Sequence, residues 1–220
     1  MIKAVLFDMD GLLTDSERVA VEIDAGLYRQ LGYNELTAET AMQTLGVTRA
    51  GTIDMYLALC PRFDPDVYYP LFDAAYAEAL RNKRVGAKKG AAELLQYLQA
   101  KNIPYAICSS SDAGKVRLTL GSAGLLQYFS VFATGDLVKH GKPAPDIFLL
   151  GAEMLHVSPK DCLVLEDSIN GIKAGTNAGM TVFMVPDLIP YREELAPYCQ
   201  AVCRDLTEVI QKIKNDGNTL

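Results

Sequence analysis

Five short apolar runs, at residues 2–7, 104–108, 131–133, 162–165 and 181–185, constrain the fold of this chain more than any other feature. Each is rich in Val, Ile, Leu, Phe or Cys and too short for a helix, so each predicts a strand buried on both faces. From about residue 90 onward these runs alternate with helical patterns: Leu94, Leu95 and Leu98, then Ile147, Phe148, Gly151 and Leu155, then Ile169 and Ile172. Apolar strands alternating with helices predict an α/β fold, a doubly wound parallel sheet covered by helices on both faces.

The alternation fails between the first run and the second. There Ala20, Ile23, Leu27 and Leu31 recur at spacings of three and four, the mark of an amphipathic helix. Further helices are predicted over 37–44, 49–59 and 66–80. A helical insert explains this segment better than a structureless loop, which a compact domain rarely contains at such length. The predicted organisation is a core of residues 1–14 and 86–220 with a helical domain of residues 15–85, joined near Thr14-Asp15 and Val85-Gly86.

In an open parallel sheet, ligands collect beyond the carboxyl ends of the strands, so the polar residues that follow the apolar runs should converge there. The first run is followed by Asp8 and Asp10, the second by Ser109-Ser110-Ser111-Asp112, and the fourth by Glu166-Asp167-Ser168. Gly141-Lys142-Pro143 lies in the loop after the third. Carboxylates brought together repel one another unless a proton or a hard cation compensates, and Mg²⁺ suits a few carboxylates with waters and phosphate oxygens. His140 and His156 are the only histidines, so no cluster offers the nitrogen and sulfur ligands that zinc favours. A carboxylate can attack phosphorus to form an acyl phosphate once charge on the phosphoryl oxygens is neutralised. Lys142, the Ser109 hydroxyl and the backbone amides after Asp8 and Ser109 are suited to that task.

Composition narrows the partners. A net charge of -6 and a pI near 5.0, with no basic run, argue against a nucleic-acid surface. The first apolar run is too short for a signal-peptide core or a membrane span, so a cytoplasmic location and no membrane partner are expected. The five cysteines form no CxxC pair and read as reduced, structural thiols.

Phe7-Asp8-Met9-Asp10-Gly11, the strand-ending Ser109, Lys142 in Gly-Lys-Pro-Ala-Pro-Asp, and Glu166-Asp167 resemble, in order, the four motifs of the haloacid dehalogenase superfamily. The stretches 8–17 and 165–171 are similar to its beta-phosphoglucomutase and sugar-phosphatase branch, which carries a helical cap after the first motif. The resemblance implies that Asp8 is the nucleophile, that Asp10 is the general acid and base, and that Lys142 and Ser109 hold the phosphoryl group. It also implies a Mg²⁺ held by Asp8, the main-chain carbonyl of Asp10 and Asp167, with Glu166 bound directly or through water. Ser110, Arg49 and Glu17 are candidates for substrate binding. Arg49 would face the far end of the substrate, and Glu17 would accept hydrogen bonds from its hydroxyls. Tyr68, Tyr69 and Tyr76, at helical spacing, read as packing outside the site.

Mutases of this branch place a cap histidine five residues after the Asp of an Asp-Ser/Thr segment, and here that position is Ala20. The expected function is therefore a Mg²⁺-dependent phosphatase acting on a small phosphorylated sugar or polyol. A hexose-phosphate mutase is the enzymatic alternative. A phosphate-binding regulatory module is the non-enzymatic one, which Asp10 argues against because a binder needs no acid-base group.

Overall fold

The computed structural model of the protein describes residues 2–215. Its centre is a six-stranded, wholly parallel sheet of β1 (Ala4–Phe7), β2 (Tyr105–Ser109), β3 (Phe132–Thr134), β4 (Cys162–Glu166), β5 (Thr181–Met184) and β6 (Ala201–Val202). The order is β3-β2-β1-β4-β5-β6. Five of these strands correspond to the five apolar runs. The sixth has no such signature, because two residues flanked by Gln200 and Cys203 are too few to show a pattern.

Alternate residues of each strand serve opposite faces of the sheet. Val5 and Phe7 pack with Ile107, Leu163 and Leu165 beneath α5 (Ala91–Ala100), α6 (Ala113–Ser122) and α9 (Leu206–Asn215). Ala4 and Leu6 pack with Ala106, Cys108 and Val164 beneath α7 (Asp146–Met154) and α8 (Ile169–Asn177). Both faces are therefore dry, which is why the strands read as continuous apolar runs rather than as alternating ones.

Between β1 and α5 the chain forms α1 (Ser16–Leu31), α2 (Ala38–Gln43), α3 (Arg49–Leu59) and α4 (Pro65–Arg81). These helices enclose a core of their own, built from Val19, Ile23 and Leu27 against the rings of Tyr28, Tyr56, Phe63 and Tyr68. Asp64 caps α4 by accepting from the amides of Asp66 and Val67, and Pro65 occupies its first turn. The two connections to the sheet run side by side. Asp15 donates its amide to the Gly86 carbonyl at 3.1 Å, the Gly86 amide donates to Asp15 Oδ1 at 2.6 Å, and Lys88 donates its amide to the Leu13 carbonyl at 2.8 Å. This paired neck sets the helical layer over the carboxyl ends of the strands.

The dry faces of the sheet make core volume the main determinant of stability. Leu6→Ala, at a fully buried position in the centre of β1, should cost about 2–5 kcal/mol in denaturant unfolding. Leu118→Ala, at a position 59% exposed on α6, should stay within about 0.5 kcal/mol. Equal losses would contradict the two-faced packing described above.

Candidate active site

The strand order reverses at β1: β2 and β3 lie to one side of it, and β4, β5 and β6 to the other. Neighbouring crossovers depart in opposite directions at such a point and leave a crevice beyond the strand ends. Asp8 continues directly from β1, its amide held by the Leu165 carbonyl at 3.1 Å. The chain then turns tightly, with the amides of Leu13 and Thr14 donating to the Met9 carbonyl. Gly11 makes this turn possible. Its φ is +83°, and a Cβ there would run into the Asp167 carboxylate.

Lys142 ties the crevice together. Its side chain is 6% exposed, and Nζ donates to Asp8 Oδ1 at 2.5 Å and to Glu166 Oε1 at 2.6 Å. The other Glu166 oxygen accepts from the amides of Asp167 and Ser168 and from the Ser168 hydroxyl, at 2.8–2.9 Å. Both carboxylate oxygens of Glu166 are thus engaged within the protein. Gly171, in the first turn of α8, is required here because a Cβ would collide with the Glu166 carboxylate. Burial pushes the Asp8 carboxyl up, opposed by Lys142 and reinforced by Glu166 and Asp10, to about 7. Burial alone would lower the Lys142 ammonium, but Asp8 and Glu166 outweigh it and hold Lys142 protonated.

Asp10 stands in a different environment, accepting from Ser16 Oγ at 2.5 Å and from Ser111 Oγ at 3.5 Å. Ser109 is buried, and its Oγ accepts from the Ser111 amide at 3.1 Å, which shapes the loop that follows β2. Ser110 is exposed and lines the cavity. Two carboxylate oxygens, Glu17 Oε2 and Asp167 Oδ2, are buried with no hydrogen-bond partner among the described residues, and both lie against Gly11. Burial, then the charges of Asp10 and Asp8, raises Glu17 to about 8. Burial followed by Glu17, Glu166 and Asp8 raises Asp167 well above the ordinary carboxylate range. Among the described residues no three His, Cys, Asp or Glu side chains form a ready-made metal cage. The set implied by the resemblance needs only two side chains, Asp8 and Asp167, with the Asp10 carbonyl. An unpartnered, buried Asp167 oxygen amid clustered negative charge fits a hard cation.

The strand ends open into a cavity of about 670 Å³ whose opposite wall is the helical layer. Ser16, Glu17, Ala20 and Asp24 form one stripe of α1 along it. Arg49 also lines it, but Arg49 Nη2 is paired with Asp73 Oδ1 at 2.8 Å and its guanidinium lies 4.2 Å from the Tyr69 ring centroid. Tyr68, Tyr69 and Tyr76 line the cavity as well as packing the layer's core. Asn170 joins the two layers, its side-chain amide donating to the Gly46 carbonyl at 3.0 Å. Ser16, Asp24, Lys115 and Asn170 are cavity-lining residues that sequence reasoning does not single out. A hydroxyl beside a helix start reads equally well as a cap, and Asp24 carries no motif.

The chain matches the family model of haloacid dehalogenase-like hydrolases over residues 2–179 and belongs to that family. It is 37% identical over 195 residues to a Drosophila melanogaster protein named "Probable pseudouridine-5'-phosphatase", covering 83% of this chain and 80% of that one. It is 32% identical over 183 residues to Hexitol phosphatase A of Escherichia coli, covering 83% and 82% respectively. The crystal structure of a haloacid dehalogenase family hydrolase from Deinococcus radiodurans, with bound phosphate and sodium, superposes with a TM-score of 0.82 at 28% identity, covering 98% of this chain and 96% of that one. Against two Arabidopsis thaliana relatives the chain spans only 18% and 54% of their length. Hydrolases of this family generally use a divalent metal.

The raised carboxylates dictate the sign of a pH response. Asp8 and Glu17 retain protons that the unfolded chain has already released. Their stabilising contribution is complete below the ordinary carboxylate range and is lost as pH rises through about 7 and about 8. Without divalent cation, Tm should therefore fall between about pH 5 and about pH 9. Added Mg²⁺ should restore it at the alkaline end, and Asp167→Asn should raise the cation-free Tm while removing most of the Mg²⁺ effect. A Tm indifferent to pH and to Mg²⁺ would contradict this electrostatic description.

Proposed function

We propose that this protein is a Mg²⁺-dependent phosphatase that hydrolyses a small phosphorylated sugar or polyol through an aspartyl-phosphate on Asp8. One observation carries the proposal: two carboxylates two residues apart face one cavity in contrasting environments. Asp8 is paired with a buried ammonium, whereas Asp10 is held by hydroxyls. Different surroundings for neighbouring carboxylates support different roles.

Asp8 attacks phosphorus through a carboxylate oxygen, and the bond to the leaving oxygen breaks. Lys142 balances negative charge at Asp8 and on the transferring group. Asp10, oriented by Ser16 and Ser111, gives a proton to the leaving oxygen. It then takes one from the water that attacks the phosphorus of the aspartyl-phosphate, so that inorganic phosphate leaves and Asp8 is regenerated. A divalent cation, held by Asp8, the Asp10 main-chain carbonyl and Asp167, would supply charge neutralisation for the phosphoryl oxygens when bound. The paired neck at Asp15 and Gly86 is the hinge about which the helical cap, residues 15–85, opens to admit substrate and closes to exclude bulk water.

Two features favour water over a second sugar hydroxyl as acceptor. Ala20 places only a methyl group where a mutase of this branch has a histidine, and Arg49 is already paired with Asp73 rather than free for a second phosphate.

Release of phosphate from para-nitrophenyl phosphate should require Mg²⁺, and Asp8→Asn should abolish it. Asp10→Asn should lower kcat by about 10²- to 10⁴-fold. Full activity in Asp8→Asn would remove Asp8 from its role. With beta-glucose 1-phosphate, turnover should give free sugar and phosphate. Accumulation of glucose 6-phosphate would establish the mutase instead.

A further inference from the structure

The cavity is far deeper than a phosphoryl group requires, and its upper end is chemically distinct from the catalytic end. Asp24 lies seven residues beyond Glu17 on the cavity-lining stripe of α1, roughly 10 Å farther along the helix axis. Its Oδ1 accepts from the Tyr68 hydroxyl, and no Lys, Arg or His among the described residues pairs with it. The Tyr68 ring stacks on Tyr28 at a centroid distance of 5.8 Å, and the Tyr28 hydroxyl is itself bonded to Tyr56 at 2.5 Å, so the donor to Asp24 is rigidly held. Beside it, Tyr69 lines the same wall with its hydroxyl buried and without a partner among the described residues. Arg49 covers the Tyr69 ring, and Asp73 holds Arg49 in turn. A part-buried carboxylate without a cation and a buried phenol without a partner are both costly unless something in the cavity bonds to them.

Resting on the phosphatase reading above, we infer that Asp24 and the Tyr69 hydroxyl form a subsite that binds the distal hydroxyls of a ring-form pentose or hexose phosphate. Asp24 accepts from a ring hydroxyl and the Tyr69 phenol donates to, or accepts from, its neighbour. Ala20, between Glu17 and Asp24 on the stripe, leaves room for the body of the ring. A three-carbon phosphate anchored at Asp8 is too short to satisfy Asp24, and a site built around an unmet polar group discriminates strongly against substrates that lack its partner.

The test compares kcat/KM for ribose 5-phosphate, a panel of hexose 6-phosphates, glycerol 1-phosphate and para-nitrophenyl phosphate in the wild type and in Asp24→Ala, Asp24→Asn and Tyr69→Phe, with Tm recorded for each. The wild type should favour its best ring sugar over glycerol 1-phosphate by at least about tenfold. Asp24→Ala should reduce the ratio of ring-sugar to aryl-phosphate kcat/KM by about 10- to 100-fold. The isosteric Asp24→Asn, which keeps one acceptor oxygen, should fall between the two. Tyr69→Phe, which removes the subsite's phenol and leaves the Asp24 carboxylate in place, should lower the same ratio by about 3- to 10-fold. A wild type that prefers glycerol 1-phosphate, or an unchanged ratio in Asp24→Ala or in Tyr69→Phe, would overturn the subsite. Absence of aryl-phosphate release by the wild type would overturn the phosphatase reading itself and the subsite with it.

Discussion

The contact of Lys142 with Asp8 and Glu166 is the interaction on which the rest of this site depends. Asp8, Asp10, Glu166 and Asp167 meet at the ends of β1 and β4, the two strands that flank the reversal of sheet order. Three of the four are almost wholly buried, and without compensation their mutual repulsion would prevent them from ionising together. One ammonium, also buried, offsets part of that charge. Truncating Lys142 would leave carboxylates both desolvated and unpaired, which is more damaging than the loss of an exposed ion pair. Much of the local backbone serves the same arrangement. Gly171 makes room for Glu166, the Asp167 amide and Ser168 satisfy its second oxygen, and Gly11 makes room for Asp167.

What this charge balance leaves unmet is as informative as what it satisfies. Asp167 and Glu17 each present a buried oxygen without a partner among the described residues at the sheet end of the cavity, and Tyr69 presents another at the cap end. The first end suits cations and phosphoryl oxygens, while the second is lined by tyrosine rings, a phenol and Asp24. The cavity therefore has a polarity along its length: one end proposed for the chemistry shared by the family, the other for the identity of the leaving group. Such a division is expected where the reacting residues sit on strand ends and a separate helical layer covers them.

Most of the core was legible in the sequence because burial on both faces of a parallel sheet leaves an unbroken apolar signal, and because the polar residue after each run falls at a strand end by geometry alone. Asp8, Lys142 and Asp167 could be placed in this way. The β6 strand could not, since Ala201 and Val202 are too short to carry a period. The contacts of Glu166 were also hidden. Its sequence position says nothing of its contacts, and only the directions of its two oxygens show that Lys142 and the amides of Asp167 and Ser168 bond to them. Tyr68 and Tyr69 lie at helical spacing and do pack a core, yet the same rings form the cavity wall. A one-dimensional pattern cannot separate these two uses. Asp24 gave no signal, because an acidic residue on an amphipathic helix ordinarily faces water.

The covalent route through Asp8 is tested most directly by the stereochemical course at phosphorus, measured with a phosphorothioate ester that carries ¹⁶O and ¹⁸O on phosphorus and is hydrolysed in ¹⁷O-labelled water, so that the inorganic thiophosphate released is chiral. Attack by Asp8 followed by attack of water comprises two in-line displacements, each inverting the centre, so net retention is the predicted outcome. Net inversion would mean that water attacks the substrate directly, and would contradict the assignment of Asp8 as the nucleophile.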